Sequence, residues 1–138
     1  MTDKHVESSY WTLRIVFGVI PIVAGLDKFT NLLTDWQAYL SPLAVKMLPM
    51  SAGTFMHLAG IVEVIVGAGV LLGYARWFGW VAMGWLLAIA LNLVSSGQFL
   101  DVAACDVGMA AGAFALARLA PLHEGAHVRV ERAASVHA

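Results

Sequence analysis

HLAGIVEVIVGAGVLLG, residues 57–73, sets one carboxylate, Glu63, in a run where every other residue from Leu58 to Gly73 is apolar or glycine. The run reads as a membrane-crossing helix with an acidic group near mid-depth, where its cost is about 2.5–3.5 kcal/mol on insertion scales. Such a group faces the bundle interior and takes a partner. Ala59, Gly60 and Gly67 lie at i−4, i−3 and i+4, on the same face, and small residues there let a second helix approach closely. Glu63 is therefore expected in a seam between helices.

The whole chain has the same character. Its 138 residues are 60% hydrophobic and 12% charged, about half the charge of an average soluble domain. Mean hydropathy is +0.78. Four apolar stretches, Tyr10–Leu26, Ala52–Gly73, Trp77–Val94 and Val102–Ala120, each have about the length that spans a hydrocarbon core. Their apolar runs are continuous rather than alternating, which excludes a transmembrane barrel. The expected fold is all-α, an integral membrane four-helix bundle. Residues 1–9 form a tail, 10–120 the membrane domain (helices about 10–27, 52–73, 77–95 and 101–120), and 121–138 a polar, loosely ordered tail. The first stretch holds Arg14 and no small-residue cleavage site, so it is not read as a cleaved signal. The single Cys105 forms no internal disulfide. A net charge of −1 without basic clusters gives no case for nucleic acid.

Lys4, Arg76, Arg118, Arg129 and Arg132 fall on the side of the termini, and Lys28 and Lys46 on the other. The positive-inside rule then places both termini in the cytoplasm, across a bacterial inner membrane. The one long outer loop, Phe29–Ser51, carries Leu32, Trp36, Tyr39, Leu40 and Leu43 at helical spacing. Thr34 with Gln37 reads as a capping box, and Ser41-Pro42 as an N-cap followed by a first-turn proline. Two short interfacial helices are expected there, broken near Pro42 and ended by Pro49, as a lid on the bundle.

Each helix has one strongly polar residue on a face of small residues. Arg14 shares its face with Gly18, Pro21 and Gly25, Asn92 with Ala88 and Ser96, and Asp106 with Ala110, Ala113 and Ala117. At about 1.5 Å per residue, Arg14 lies about 7 Å and Glu63 about 15 Å from the inner boundary, which predicts an Arg14–Glu63 ion pair. His57, Asn92 and Asp106 fall about 6–9 Å below the outer boundary, under Lys28 at the end of the first helix. These four form the candidate ligand site. His57 points about 120° away from Glu63 on the wheel. One intramembrane histidine without a second His or Cys at ligand spacing predicts no metal site and no haem. No Gly-rich strand–helix turn is present for a flavin or nicotinamide.

RIVFGVIPIVAGLDKF at Arg14–Phe29 and EVIVGAGVLLGYAR at Glu63–Arg76, with the chain length and long first outer loop, resemble the DoxX/DoxD superfamily of small four-helix bacterial membrane proteins. The resemblance covers roughly residues 10–120, and Asn92 and Asp106 represent the polar positions of the later helices. It implies either the membrane subunit of a thiosulfate:quinone oxidoreductase or a membrane partner of oxidative-stress proteins. Three readings follow. The first is a quinone-linked redox subunit, with His57, Asp106 or Lys28 bonding the quinone carbonyls and Glu63 relaying protons. The second is a non-enzymatic subunit that anchors a larger membrane complex. The third is a small transporter, for which four helices are narrow unless the chain forms a homo-oligomer.

Overall fold

The structure is a computed structural model that describes residues 2–136; Met1, His137 and Ala138 of the expected tails lie outside the described residues. Every element among the described residues is helical. The long helices are α1 (Thr2–Asp27), α3 (Ala52–Gly69), α4 (Ala75–Ser96) and α5 (Leu100–Val136), with a short α2 (Pro42–Met47) in the loop after α1. Three apolar runs, Lys4–Asp27, Ala52–Ser96 and Leu100–Val136, are long enough to cross a membrane. The second is divided at Gly73. There α3 widens into a π-helical turn, Val70–Tyr74, and Gly73 takes φ +107°, a conformation open to a residue without Cβ. The chain reverses at this point, as shown by the Trp85 indole reaching back to Glu63.

Packing forms two main pairs, α1 with α3 and α4 with α5. In the first pair, a methyl group on Gly25 or on Gly60 would meet the other's carbonyl oxygen at 2.5 Å, and one on Gly67 would strike the Gly18 carbonyl. In the second pair, Gly79 lies against the backbone of Ala113 and Ala117. These seams of small residues bring backbones together where no hydrophobic effect drives helices to associate. A second face of α1, about a quarter-turn from that seam, shows Ile15, Val19, Val23 and Leu26, each about half exposed. An apolar stripe of that kind faces lipid, and the chain is a multi-pass membrane protein.

Tyr10, Phe17, Val66, Val70, Ala113 and Leu116 fill the bundle at the end where the chain termini lie. At the opposite end the loop folds over as a lid. Its first turn, Trp36–Tyr39, is a four-residue 3-10 helix, and Asp35, rather than the expected Thr34, caps it by accepting from the Gln37 N–H. Ser41 caps α2 by accepting from the Ala44 N–H at 3.1 Å. Leu48, which precedes Pro49, is extended and ends α2, as the proline ring requires.

α1 begins at Thr2 and α5 runs on to Val136. The segment expected as a loose tail is thus helical. Its Ala, Arg, Glu and Val residues continue the helix past Pro121, and 37 residues extend about 55 Å, beyond a hydrocarbon core of about 30 Å.

Candidate functional site

Between the tail-end core and the lid lies a cavity of about 630 Å³, bounded by all four long helices and the lid. Its walls are mostly apolar, from Phe17, Val66 and Met109 up to Leu40 and Leu48. Lys28, Glu63, Asn92 and Asp106 interrupt them, with the indoles of Trp36 and Trp85.

Glu63 is paired with Lys28, not with Arg14. Lys28 Nζ donates to Glu63 Oε2 at 2.7 Å, and the two side chains are 7% and 9% exposed. Helix register explains the exchange of partners. Gly25 faces Gly60 and Gly18 faces Gly67, so seven residues along α1 match seven back along α3. Arg14 then lies level with Leu71, while Glu63 lies level with Ile22. That puts Glu63 eight residues, about 12 Å, from Arg14 and six residues, about 9 Å, from Lys28. The long Lys28 stem turns into the bundle and covers that distance. Arg14 instead donates from Nε to the Val70 carbonyl (3.0 Å) and from Nη2 to the Leu71 carbonyl (2.7 Å). These carbonyls lie in the π-helical turn before Gly73, where the regular α-helical ladder is interrupted.

The other Glu63 oxygen, Oε1, accepts from Trp85 Nε1 at 3.2 Å. The Lys28 ammonium lies 3.7 Å from the centre of the Trp36 ring, a cation–π contact that strengthens where water is excluded. Trp36 is held there by its own N–H, which donates to Asp27 Oδ2 at 2.7 Å. Asp27 also accepts from the Leu32 and Leu33 N–H groups and the Thr30 hydroxyl. One carboxylate at the end of α1 thus folds the start of the lid over Lys28.

Asn92 secures the lid from the opposite wall. Its Nδ2 donates to the Tyr39 carbonyl at 2.7 Å and its Oδ1 accepts from the Ser41 N–H at 2.9 Å. Asp106 of α5 lines the cavity. Its Oδ2 is buried and has no hydrogen-bond partner, alone in this among the described residues. His57 is not in the cluster. It is exposed and stacks on Phe29, with ring centres 4.9 Å apart. The cause is angular: Glu63 faces inward, and a residue 120° round the helix faces out.

The cavity therefore brings together Lys28, Asn92 and Asp106 of the four expected ligand-site residues, adds Glu63, and leaves out His57. Trp85 and Asp27 are further contributors. Trp85 was legible, since it lies at i−7 from Asn92 and so on the same face. Nothing in the local pattern points from Asp27 to a residue nine positions on.

A family model described as DoxX matches residues 10–96, from α1 to the end of α4. No curated protein and no solved structure matches the chain.

Proposed function

This chain belongs to the DoxX family, and from that premise we propose that its cavity binds a lipid-soluble quinone and that the chain is the membrane subunit of a quinone-linked redox system. The observation that carries this reading is the meeting of the Lys28–Glu63 pair and the unpartnered Asp106 oxygen in one apolar cavity. Apolar pockets with a few convergent polar groups are the usual form of a small-molecule site. An orphaned carboxylate oxygen needs a donor, and a quinol hydroxyl is one. The Lys28 ammonium has donors beyond the one used by Glu63, and a quinone carbonyl oxygen accepts them. Trp36 and Trp85 offer faces for a planar ring.

Reduction of a quinone adds two electrons and two protons to its two oxygens. The electrons come from a partner redox protein, and Glu63 and Asp106 are the groups of this chain placed to pass protons. Membrane placement follows the charge bias. With Lys28 turned inward, Lys46 alone represents the lid side, against Lys4, Arg76, Arg118, Arg129 and Arg132 on the other. This supports cytoplasmic termini and an outward lid in a bacterial inner membrane, with residues 10–120 as the membrane domain.

The test is a short-chain quinone analogue titrated into the protein in nanodiscs, followed by tryptophan fluorescence. Saturable quenching is expected in wild type and in His57→Leu, and weaker binding in Asp106→Asn. No saturable response in wild type overturns the reading.

A further inference from the structure

At the end of the bundle opposite the lid, a second polar cluster joins α1 to α5. Glu7 Oε2 lies 2.6 Å from His123 Nδ1. Each of Glu7, His123 and His127 offers a ligand atom, and these three atoms all lie within 4.8 Å of one another. We propose that Glu7, His123 and His127 bind a divalent transition-metal ion of the zinc type.

The donor set has the right chemistry. Two imidazoles and a carboxylate are a known set for zinc, with a fourth position left to water. His123 and His127 are separated by one helical turn, the spacing at which two histidines of a helix reach one ion. His127 is exposed, so the open position faces solvent. Around a tetrahedral ion with bonds of about 2.0–2.1 Å, donor atoms stand a little over 3 Å apart. The Glu7–His123 contact needs to open by less than about 1 Å, the ion replacing the hydrogen now shared between them.

The ligands are also held in place, as metal ligands generally are by their outer neighbours. Trp11 Nε1 donates to Glu7 Oε1 at 2.6 Å, which leaves Oε2 directed at His123. The His123 ring is buried and stacks on Tyr10, with centres 4.1 Å apart and planes 19° from parallel. The edge of Trp11 closes a further side of that ring at 6.0 Å. His127 lies against it with ring centres 4.5 Å apart. A helix-to-helix contact between Glu7 and His123 does not require the second, exposed histidine. A metal site does.

The experiment uses the full chain, with any affinity tag removed, stripped with chelator and titrated with Co²⁺ by visible absorption, then with Zn²⁺ in competition. One saturable Co²⁺ site displaced by Zn²⁺ is expected. His127→Ala, at an exposed position, keeps the fold and weakens Co²⁺ binding at least about tenfold, the lower end of what losing even an outer-shell partner costs. Glu7→Gln does the same. Absence of saturable Co²⁺ binding in wild type, or unchanged affinity in His127→Ala, overturns the site and leaves the Glu7–His123 contact as a structural tie alone.

Discussion

Lys28 Nζ and Glu63 Oε2 stand 2.7 Å apart with almost no exposure of either side chain, so each is the other's countercharge inside the membrane. Removing one partner strands a buried charge, at a cost of about 3–5 kcal/mol, whereas removing both is often tolerated. Glu63→Gln and Lys28→Met are each expected to lower stability by that order. The double variant is expected to recover most of the loss. Unfolding in detergent, read by tryptophan fluorescence, checks the cycle. A double variant no more stable than the worse single one denies the pairing.

Arg14 belongs to a different structure. It donates to the carbonyls of Val70 and Leu71 and so fastens the π-helical turn that precedes Gly73. Hydrogen bonds from charged groups contribute about 1.5–3 kcal/mol, and Arg14→Leu is expected to cost about that much. Its effect should add to that of Glu63→Gln within about 0.5 kcal/mol, as for sites that share no partner. Strong coupling between the two would restore the Arg14–Glu63 pair.

The seam between α1 and α3 tolerates no side chain at Gly25 or Gly60. Gly25→Ala and Gly60→Ala are expected to destabilise by about 1–3 kcal/mol through overpacking and to shift the register that sets Lys28 against Glu63. Gly84 has no atom within 4 Å of where a Cβ would lie, so Gly84→Ala, which adds helix propensity without a clash, serves as the control and is expected not to destabilise. Thermal melts of the three variants in one detergent give the comparison.

The inward face of Glu63 is legible because glycine and alanine share it; the depth that groups His57 with Asn92 and Asp106 misplaces it, because its angle on the same helix turns it outward. The partner of Glu63 is not legible. Residue count gives the depth of a group along its own helix, but partner choice depends on register between helices, which the Gly18–Gly67 and Gly25–Gly60 contacts fix. Lys28 reads as an end-of-helix member of the ligand site, and its turn inward to Glu63 is evident only with Trp36, held by Asp27, folded over it. His123 and His127 stand one turn apart, but their significance depends on Glu7, 116 residues before His123.

The lid rests on Asn92, which bonds both Tyr39 and Ser41. Asn92→Leu leaves two lid backbone groups without partners, each worth about 1–3 kcal/mol where buried. Hydrogen exchange of the amides from residue 36 to 44 is expected to rise about tenfold or more, while α1 and α5 keep their protection. Unchanged exchange in the lid would show that Asn92 does not hold it.

Photolabelling reads directly whether a quinone occupies the cavity that holds Lys28, Glu63 and Asp106. A photoreactive quinone analogue is activated in nanodiscs containing the protein, and the modified residues are located by mass spectrometry. Labelling is expected at cavity residues such as Met109, Trp85 and Met56, suppressed by unlabelled quinone and reduced in Asp106→Asn. Labelling confined to lipid-facing residues such as Ile15, Val19 and Ile61, and unaffected by competitor, would mean that the cavity is not a quinone site.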